Sequence, residues 1–391
     1  MKPPLQYPFI NWVDGMKIRR EHFLAQENAI QDRLRDILAV TTPSWAYGLL
    51  PADDPKHPSF HLETDAEFLI LDCCRAITKG GFRVEIVPNR TEPLRLHILD
   101  ALRFSRLENY TGTLDVVLIC EPWNPLPYGA IDPAETPPRQ PFTQFACRLD
   151  IIPPAQPGLV ASNDFTLKIG QLQEKPGGWA LMPDFIPACT APSAHALLWK
   201  KYQSWAGFLT ELDDYTGKIH DRFDRLNAED LQIDARVWAK SIINLIVQYQ
   251  DEYRLLIREK PPVYLIRFLQ RLARGIHAGL RFLPQKEDAL LEYLSNHLNP
   301  AFQDPFAPGE LSASFKEPLH LEYDHDNIAP LLLQLDRYQD FLRRIFKIAV
   351  DLRFIRDGHR KRYETVYEDD IPLKPSPENR NNAKDNFKLS L

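Results

Sequence analysis

The chain has 391 residues, 44% of them hydrophobic and 26% charged, with a formal net charge of −6. This is the balance of a folded soluble protein, too long for one ordinary core, so two or three domains are expected. The acidic balance argues against nucleic acid or an anionic membrane surface as main partner, no run approaches the roughly 20 apolar residues of a membrane span, and the first residues lack the apolar core of a secretory signal.

The first notable segment runs from Trp12 to Gln26, where Trp12, Gly15, Met16, His22 and Phe23 bring large apolar groups close to a chain end. Such groups fray into solvent unless something holds them, either the chain's own β domain or a partner. A helix is expected over 20–39. Alternating apolar residues then predict strands over 81–87 (Phe82, Val84, Ile86), 143–150 (Phe145, Cys147, Leu149) and 164–169 (Phe165, Leu167, Ile169). Apolar, β-rich runs over 68–71, 94–99 and 114–120 add more. The segment 121–141 carries seven prolines and reads as a long irregular loop. Many short strands between proline- and glycine-bearing turns predict an all-β sandwich or barrel over 1–192.

Proline divides the chain: 23 of the 34 lie at or before residue 192 and none lies within 193–260. Proline cannot sit inside a helix, so long helices are expected in that window. Thr190 reads as a helix cap, with Pro192 in the first turn. Leu198, Tyr202, Trp205, Leu209, Leu212, Thr216, Ile219, Phe223 and Leu226 then step alternately by four and three, a heptad seam with one polar member. That seam fits either a helix buried in an intrachain bundle or a self-associating coiled coil, for which its aromatic members favour a trimer or larger bundle over a two-stranded coil. Further helices are expected over 233–258, 263–282 and 287–298, giving a helical neck over 193–300. A small mixed α/β head follows over 301–371, with a proline-rich linker at 299–308, strands at 319–323 and 348–355 and a helix over 327–346. Residues 372–391 are polar and proline-bearing and read as a disordered tail. The whole is an α+β multidomain chain.

Residues that could carry chemistry do not assemble into a recognised site. His57 and His61 have the spacing of helical zinc ligands, but Pro58 lies between them. Asp324, His325 and Asp326 read as a polar helix start rather than a metal cluster. Cys73 and Cys74 are vicinal in a strand and point to opposite faces, and with Cys120, Cys147 and Cys189 they read as buried thiols of a reducing compartment. No nucleophile elbow, phosphate-cradling loop or dinucleotide fingerprint occurs. The basic run His359 to Arg362 reads as a solvated charged segment. Neither an enzyme nor a cofactor or metal site is expected.

The pattern Trp12-x-x-Gly15-Met16-x-Ile18-x-x-x-His22-Phe23-x-x-Gln26 resembles the N-terminus of the TssK family, the baseplate subunits of bacterial type VI secretion systems. Asp14 stands for the family's Glu, Ile18 for its Leu, and Arg20-Glu21 replace its Pro-Gln. Phe185-Ile186-Pro187-Ala188-Cys189, followed by Leu197, is similar to the family's Ile-Pro-Pro segment before its helices. The resemblance implies a phage-like structural protein of a contractile injection system. It would be a cytoplasmic homotrimer at the inner face of the inner membrane, docked by its N-terminal shell on a TssF/TssG wedge. A C-terminal head would contact the membrane complex, with no nucleic acid bound and no direct membrane insertion. Within that resemblance Trp12, Gly15, Met16, His22 and Phe23 are expected at the wedge. Leu198, Tyr202, Trp205, Leu209, Leu212, Ile219 and Phe223 are expected in the trimer contact. The head is shorter than the family's usual one, which suits a divergent system such as the Bacteroidetes type. A phage-tail receptor-binding or adaptor protein is the alternative reading.

Overall fold

The computed structural model describes residues 5–52, 59–65, 67–88, 90–154, 164–176, 178–223, 228–284, 287–298 and 308–355. His57, Leu226, the linker 299–307, the run His359 to Arg362 and the tail 372–391 lie outside these residues.

The chain enters through an extended segment and helix α1 (Arg20–Thr41), then builds two antiparallel sheets. The first holds β1 (Gly48–Leu49), β2 (Phe60–Thr64), β3 (Phe68–Ile77), β4 (Arg83–Ile86) and β5 (Leu94–His97), with β3 pairing to each of the other four. A short helix α2 (Ile98–Phe104) follows β5. The second sheet has the order β7 (Phe142–Ile152), β6 (Thr113–Tyr128), β8 (Thr166–Lys175), β9 (Gly178–Leu181). Inward residues of both sheets, among them Leu69, Leu71, Val116, Leu118 and Leu167, lie in one apolar core. Phe82 bridges the sheets, edge-on to Phe145 at 5.2 Å and to Phe165 at 6.4 Å. These are two separately bonded sheets, the sandwich rather than the closed barrel.

One predicted loop is a strand. β6 runs through Pro122, Pro125 and Pro127 to Tyr128, with a register shift between Glu121 and Pro125. Its pairing to β8 stops at Ile119, with a last bond from the Cys120 N–H to the Phe165 carbonyl at 3.1 Å, so from Glu121 on β6 pairs only with β7 and a missing N–H on the other side leaves no ladder bond open.

The segment 187–190 ties the shell to the neck. Leu49 N–H donates to the Ala188 carbonyl at 2.8 Å, and both the N–H and the hydroxyl of Thr190 donate to the Leu49 carbonyl at 2.9 Å. Thr190 is therefore not a helix cap. A 3-10 turn over Pro192–Ala194 precedes α3 (Ala196–Arg222), whose flanking residue is His195. α4 (Asp230–Asp251) passes into a π turn over Glu252–Leu256 and a 3-10 turn over Ile257–Glu259. α5 (Pro262–Arg281), started by Pro262 where a missing N–H costs nothing, and α6 (Glu287–Leu298) follow.

Beyond residue 300 the described chain is helical. α7 (Pro308–Lys316) packs on α5 and α6, and α8 (Ala329–Ala349) packs on α3 and α6. They complete the neck bundle within the unit Met1–Phe354, rather than forming a separate mixed head. The predicted strand at 319–323 is a 3-10 turn (Glu317–His320) leading into irregular chain, held by Gln270 Nε2 donating to the Pro318 and Leu321 carbonyls at 3.1 and 2.9 Å. The predicted strand at 348–355 is the end of α8 and a turn. A short apolar run fits a buried helix end as well as a strand, and here Ile345, Phe346 and Ala349 are the buried face of α8.

Candidate partner-docking site

The N-terminal segment lies along α1 in the opposite sense. Asp32 of α1 is fully buried, and its Oδ2 accepts the backbone N–H groups of Gln6 at 2.5 Å and Tyr7 at 3.0 Å. Burial alone would raise the Asp32 pKa, but the Arg35 side chain and these two backbone donors hold it below the usual carboxylate range. The Tyr7 ring sits 4.6 Å from Trp123 of β6, and the Arg35 guanidinium lies 5.9 Å from the Phe165 ring centroid. The segment is thus pinned to its own shell by Tyr7, Asp32 and Arg35, none of which the sequence pattern singled out.

The residues that carry the TssK-like pattern lie on the outer side of this anchorage. Trp12 is 45% exposed and donates from Nε1 to Gln26 Oε1 at 2.8 Å, with His22 edge-on at 6.0 Å. Phe23 is 58% exposed. Met16 N–H closes a turn on the Val13 carbonyl at 3.2 Å, with Gly15 inside it at φ +77°. A Cβ on Gly15 would meet nothing within 4 Å, so the glycine serves the left-handed backbone and not a close contact. His22 Nδ1 accepts the Arg19 N–H at 3.2 Å, which closes the start of α1. The structure brings Trp12, His22 and Gln26 together, while Phe23 points to solvent beside them.

More apolar surface continues along α1. Ile30, Leu34, Ile37 and Val40 are exposed, and Phe9, under the Arg33 guanidinium at 4.1 Å, adds to them. Monomers rarely leave a connected apolar surface of this extent uncovered without a binding role. Spacing was the available signal: Phe23, Glu27, Ile30, Leu34, Ile37 and Thr41 step by four and three, as the α3 seam does.

The α3 seam itself is occupied. Leu198, Tyr202, Trp205, Leu209, Leu212, Ile219 and Phe223 are all buried, facing α4 and α8 of the same chain. The stacked Tyr202 and Tyr253 exchange bonds, each hydroxyl donating to the other's backbone carbonyl, at 3.1 and 2.7 Å. Thr216, the polar member, donates to the Leu212 carbonyl of its own helix at 2.8 Å. Flanking polar groups pair across to α8: Lys201 with Asp336, Glu211 with Arg343 at 2.8 Å, and Ser204 with Gln339. Assigning these seven residues to a contact between copies is therefore corrected. A heptad seam reports one apolar face of a helix, and here that face is satisfied from within.

Asp324, His325 and Asp326 are not a helix start, since Ile328 flanks α8. They form the second joint between shell and neck. Asp326 accepts from the Tyr47 hydroxyl at 2.5 Å and from Lys79 at 2.8 Å. His325 sits between the Tyr47 carbonyl, 2.9 Å from Nε2, and the Tyr323 hydroxyl, 2.5 Å from Nδ1. His61, the partner of His57 in the zinc-like spacing, lies on the surface 2.8 Å from Asp72. Among the described residues no group of three or more His, Cys, Asp or Glu side chains could hold a metal ion, and no helix is long and apolar enough to cross a membrane.

No protein-family model and no curated protein matches the chain. Solved structures do match. The chain is similar to a crystal structure of TssK at 14% identity and TM-score 0.52, covering 86% of this chain and 69% of that one. It is also similar to TssK from the T6SS of EAEC in complex with a nanobody, at 15% identity and TM-score 0.51, covering 83% and 99%. The chain therefore has a TssK-like fold.

Proposed function

We propose that the chain is a non-enzymatic structural subunit of a type VI secretion baseplate. In this reading it is a cytoplasmic homotrimer at the inner face of the inner membrane. The N-terminal shell docks on a wedge of TssF/TssG-like proteins, and residues beyond the neck meet a membrane-complex component. Several weak contacts per trimer act together, so modest single-site affinities combine into firm attachment.

The observation that carries this reading is the outward placement of Trp12 and Phe23 on a segment pinned from below by Asp32. Large aromatics held on a fixed support are the usual anchors of protein interfaces, because little ordering entropy remains to be lost on binding. The TssK-like fold and the TssK-like pattern at Trp12, Gly15, Met16, His22 and Phe23 point to the same class of partner.

Co-expression with TssF- and TssG-like subunits tests it. Trp12→Ala with Phe23→Ala, and separately deletion of residues 1–18, are expected to abolish co-purification with the wedge while far-UV circular dichroism stays unchanged. Retained co-purification, or a loss of folding in the double point variant, counts against docking through this segment.

A further inference from the structure

We propose that Cys120 and Cys147 are a redox-active dithiol, which a small peptide disulfide of the glutathione type oxidises to a disulfide through Cys147. None of the residues assigned to docking takes part, so the pair would act whatever the shell binds.

The two residues lie directly opposite each other in the β6–β7 ladder, and their sulfurs are 3.4 Å apart. Opposed residues of an antiparallel pair have Cα atoms ~4.5–5.5 Å apart, inside the ~4.4–6.8 Å that a disulfide spans. Only the sulfurs have to close, by about 1.4 Å, to reach the ~2.05 Å bond, and a small turn of the two side chains does this with both strands in place. Cys74 is the rival partner. It is fully buried on β3 of the facing sheet, close enough to interact electrostatically with both sulfurs.

The two thiols are not equivalent. Cys120 is buried, whereas Cys147 is half-buried and lines a groove of about 830 Å³ between β4 and the outer β6–β7 hairpin. That is within the ~300–1,000 Å³ of small-molecule sites. Charged groups of both signs line it, Arg83 and Arg90 with Glu85 and Glu92, which suits a zwitterionic peptide better than an ion of one sign. When Cys147 ionises, the Cys120 thiol donates to its sulfur. That bond first, and burial second, push the Cys120 thiol up. The same bond draws Cys147 below the ordinary thiol value, against its own burial and the Glu121 carboxylate. Burial instead pushes Cys73, Cys74 and Cys189 up. Cys147 thus combines thiolate character with an approach from solvent.

The chemistry balances as a two-step exchange. Cys147 gives its proton to water, and its thiolate attacks one sulfur of the small disulfide, forming a mixed disulfide and expelling one thiolate. Cys120 then loses its proton and attacks the Cys147 sulfur from the buried side, expelling the second thiolate toward the groove. The two expelled thiolates take up the two protons, so two protein thiols are oxidised and one small disulfide is reduced. In a reducing compartment the reverse exchange keeps the pair as thiols, and a shift of the pool toward disulfide closes it. The link would tie β6 to β7 next to their register shift between Glu121 and Pro125, clamping the base of the hairpin that walls the groove.

The test incubates the native full chain with excess oxidised glutathione, then denatures it and alkylates the remaining thiols for mass spectrometry. The five thiols of the reduced wild type are expected to fall to three, with peptides joined through Cys120 and Cys147 and all five restored by dithiothreitol. Cys120→Ala, which lacks the resolving thiol, is expected to keep a glutathione on Cys147, and Cys147→Ala is expected to lose no thiol. Far-UV circular dichroism checks that both variants fold, and the wild-type peptide map decides alone if either does not. A wild type that keeps all five thiols overturns the proposal. A link from Cys147 to Cys74, or an adduct of Cys120→Ala on a different cysteine, overturns it as well.

Discussion

Asp32 and Arg35 form an ion pair at 2.9 Å beneath α1, with the two side chains 0% and 6% exposed. One turn of helix brings them together, and the pair joins three parts of the shell. The carboxylate holds the N-terminal segment, the guanidinium lies near Phe165, and the helix backbone carries the outer apolar face. Asp32→Ala would leave a buried cation without its counter-charge and two backbone donors without their acceptor. It is expected to cost about 3 kcal/mol in urea unfolding. It should also speed proteolysis within residues 5–18, a change that limited digestion reads directly. Because the Asp32 pKa is lowered in the folded chain, its contribution is present at neutral pH and is lost as pH falls below the ordinary carboxylate value of about 3.9.

Gly48 has φ +107°, and a Cβ there would lie 2.1 Å from the Ala188 carbonyl oxygen. Both the backbone and the space require glycine. Gly48→Ala is expected to destabilise by about 3 kcal/mol or more, by pushing β1 off the 187–190 segment. Hydrogen exchange at the Leu49 and Thr190 amides should rise in that variant, whereas amides at the centre of β6 should change only with global stability.

Burial lowers the His325 pKa, and burial lowers that of His195 to about 4. The neutral His325 ring suits its neighbours, donating from Nε2 to the Tyr47 carbonyl and accepting at Nδ1 from the Tyr323 hydroxyl. With folded values below the unfolded histidine value of about 6.5, the unfolded chain binds more protons as pH drops, so stability falls below that point. The melting temperature is expected to decrease from pH 7.5 to 5.5, with most of the loss below pH ~6.5, where the unfolded histidines take up protons that the folded ones do not. His325→Gln, which takes up no proton, should show a shallower decrease.

Leu212→Ala separates core from interface. Leu212 is fully buried between helices of one chain, so the variant is expected to lose about 3 kcal/mol of stability. The number of chains per particle should not change. Chemical denaturation and light scattering on the same sample read the two effects.

Much of this was legible in the residues. The alternation around Phe82 and Val84 gave β4, and the proline-free window gave α3 and α4. Two kinds of feature were not. Pro122, Pro125 and Pro127 looked like a loop because spacing does not tell an edge from a centre, and only the edge tolerates them. The seam from Leu198 to Phe223 and the stripe from Phe23 to Thr41 carry the same period, yet the first is core and the second is bare. Periodicity marks an apolar face, whereas the partner of that face depends on chain segments far away in sequence. Asp32 and Asp326 were missed for the same reason: their partners Gln6 and Tyr47 lie 26 and 279 positions away.

That last separation orders events during synthesis. Tyr47 and Lys79 leave the ribosome early, and at ~5–20 residues per second Asp326 follows the finished shell only after on the order of ten seconds. For that interval the Tyr47 hydroxyl and the Lys79 ammonium lack the acceptor that joins them in the finished chain. A chain cut short before Asp326 also lacks α8, the helix that seals the Leu198 to Ile219 seam. The bond between Tyr47 and Asp326 and the cover over the α3 seam are thus completed together, by the last described elements of the chain.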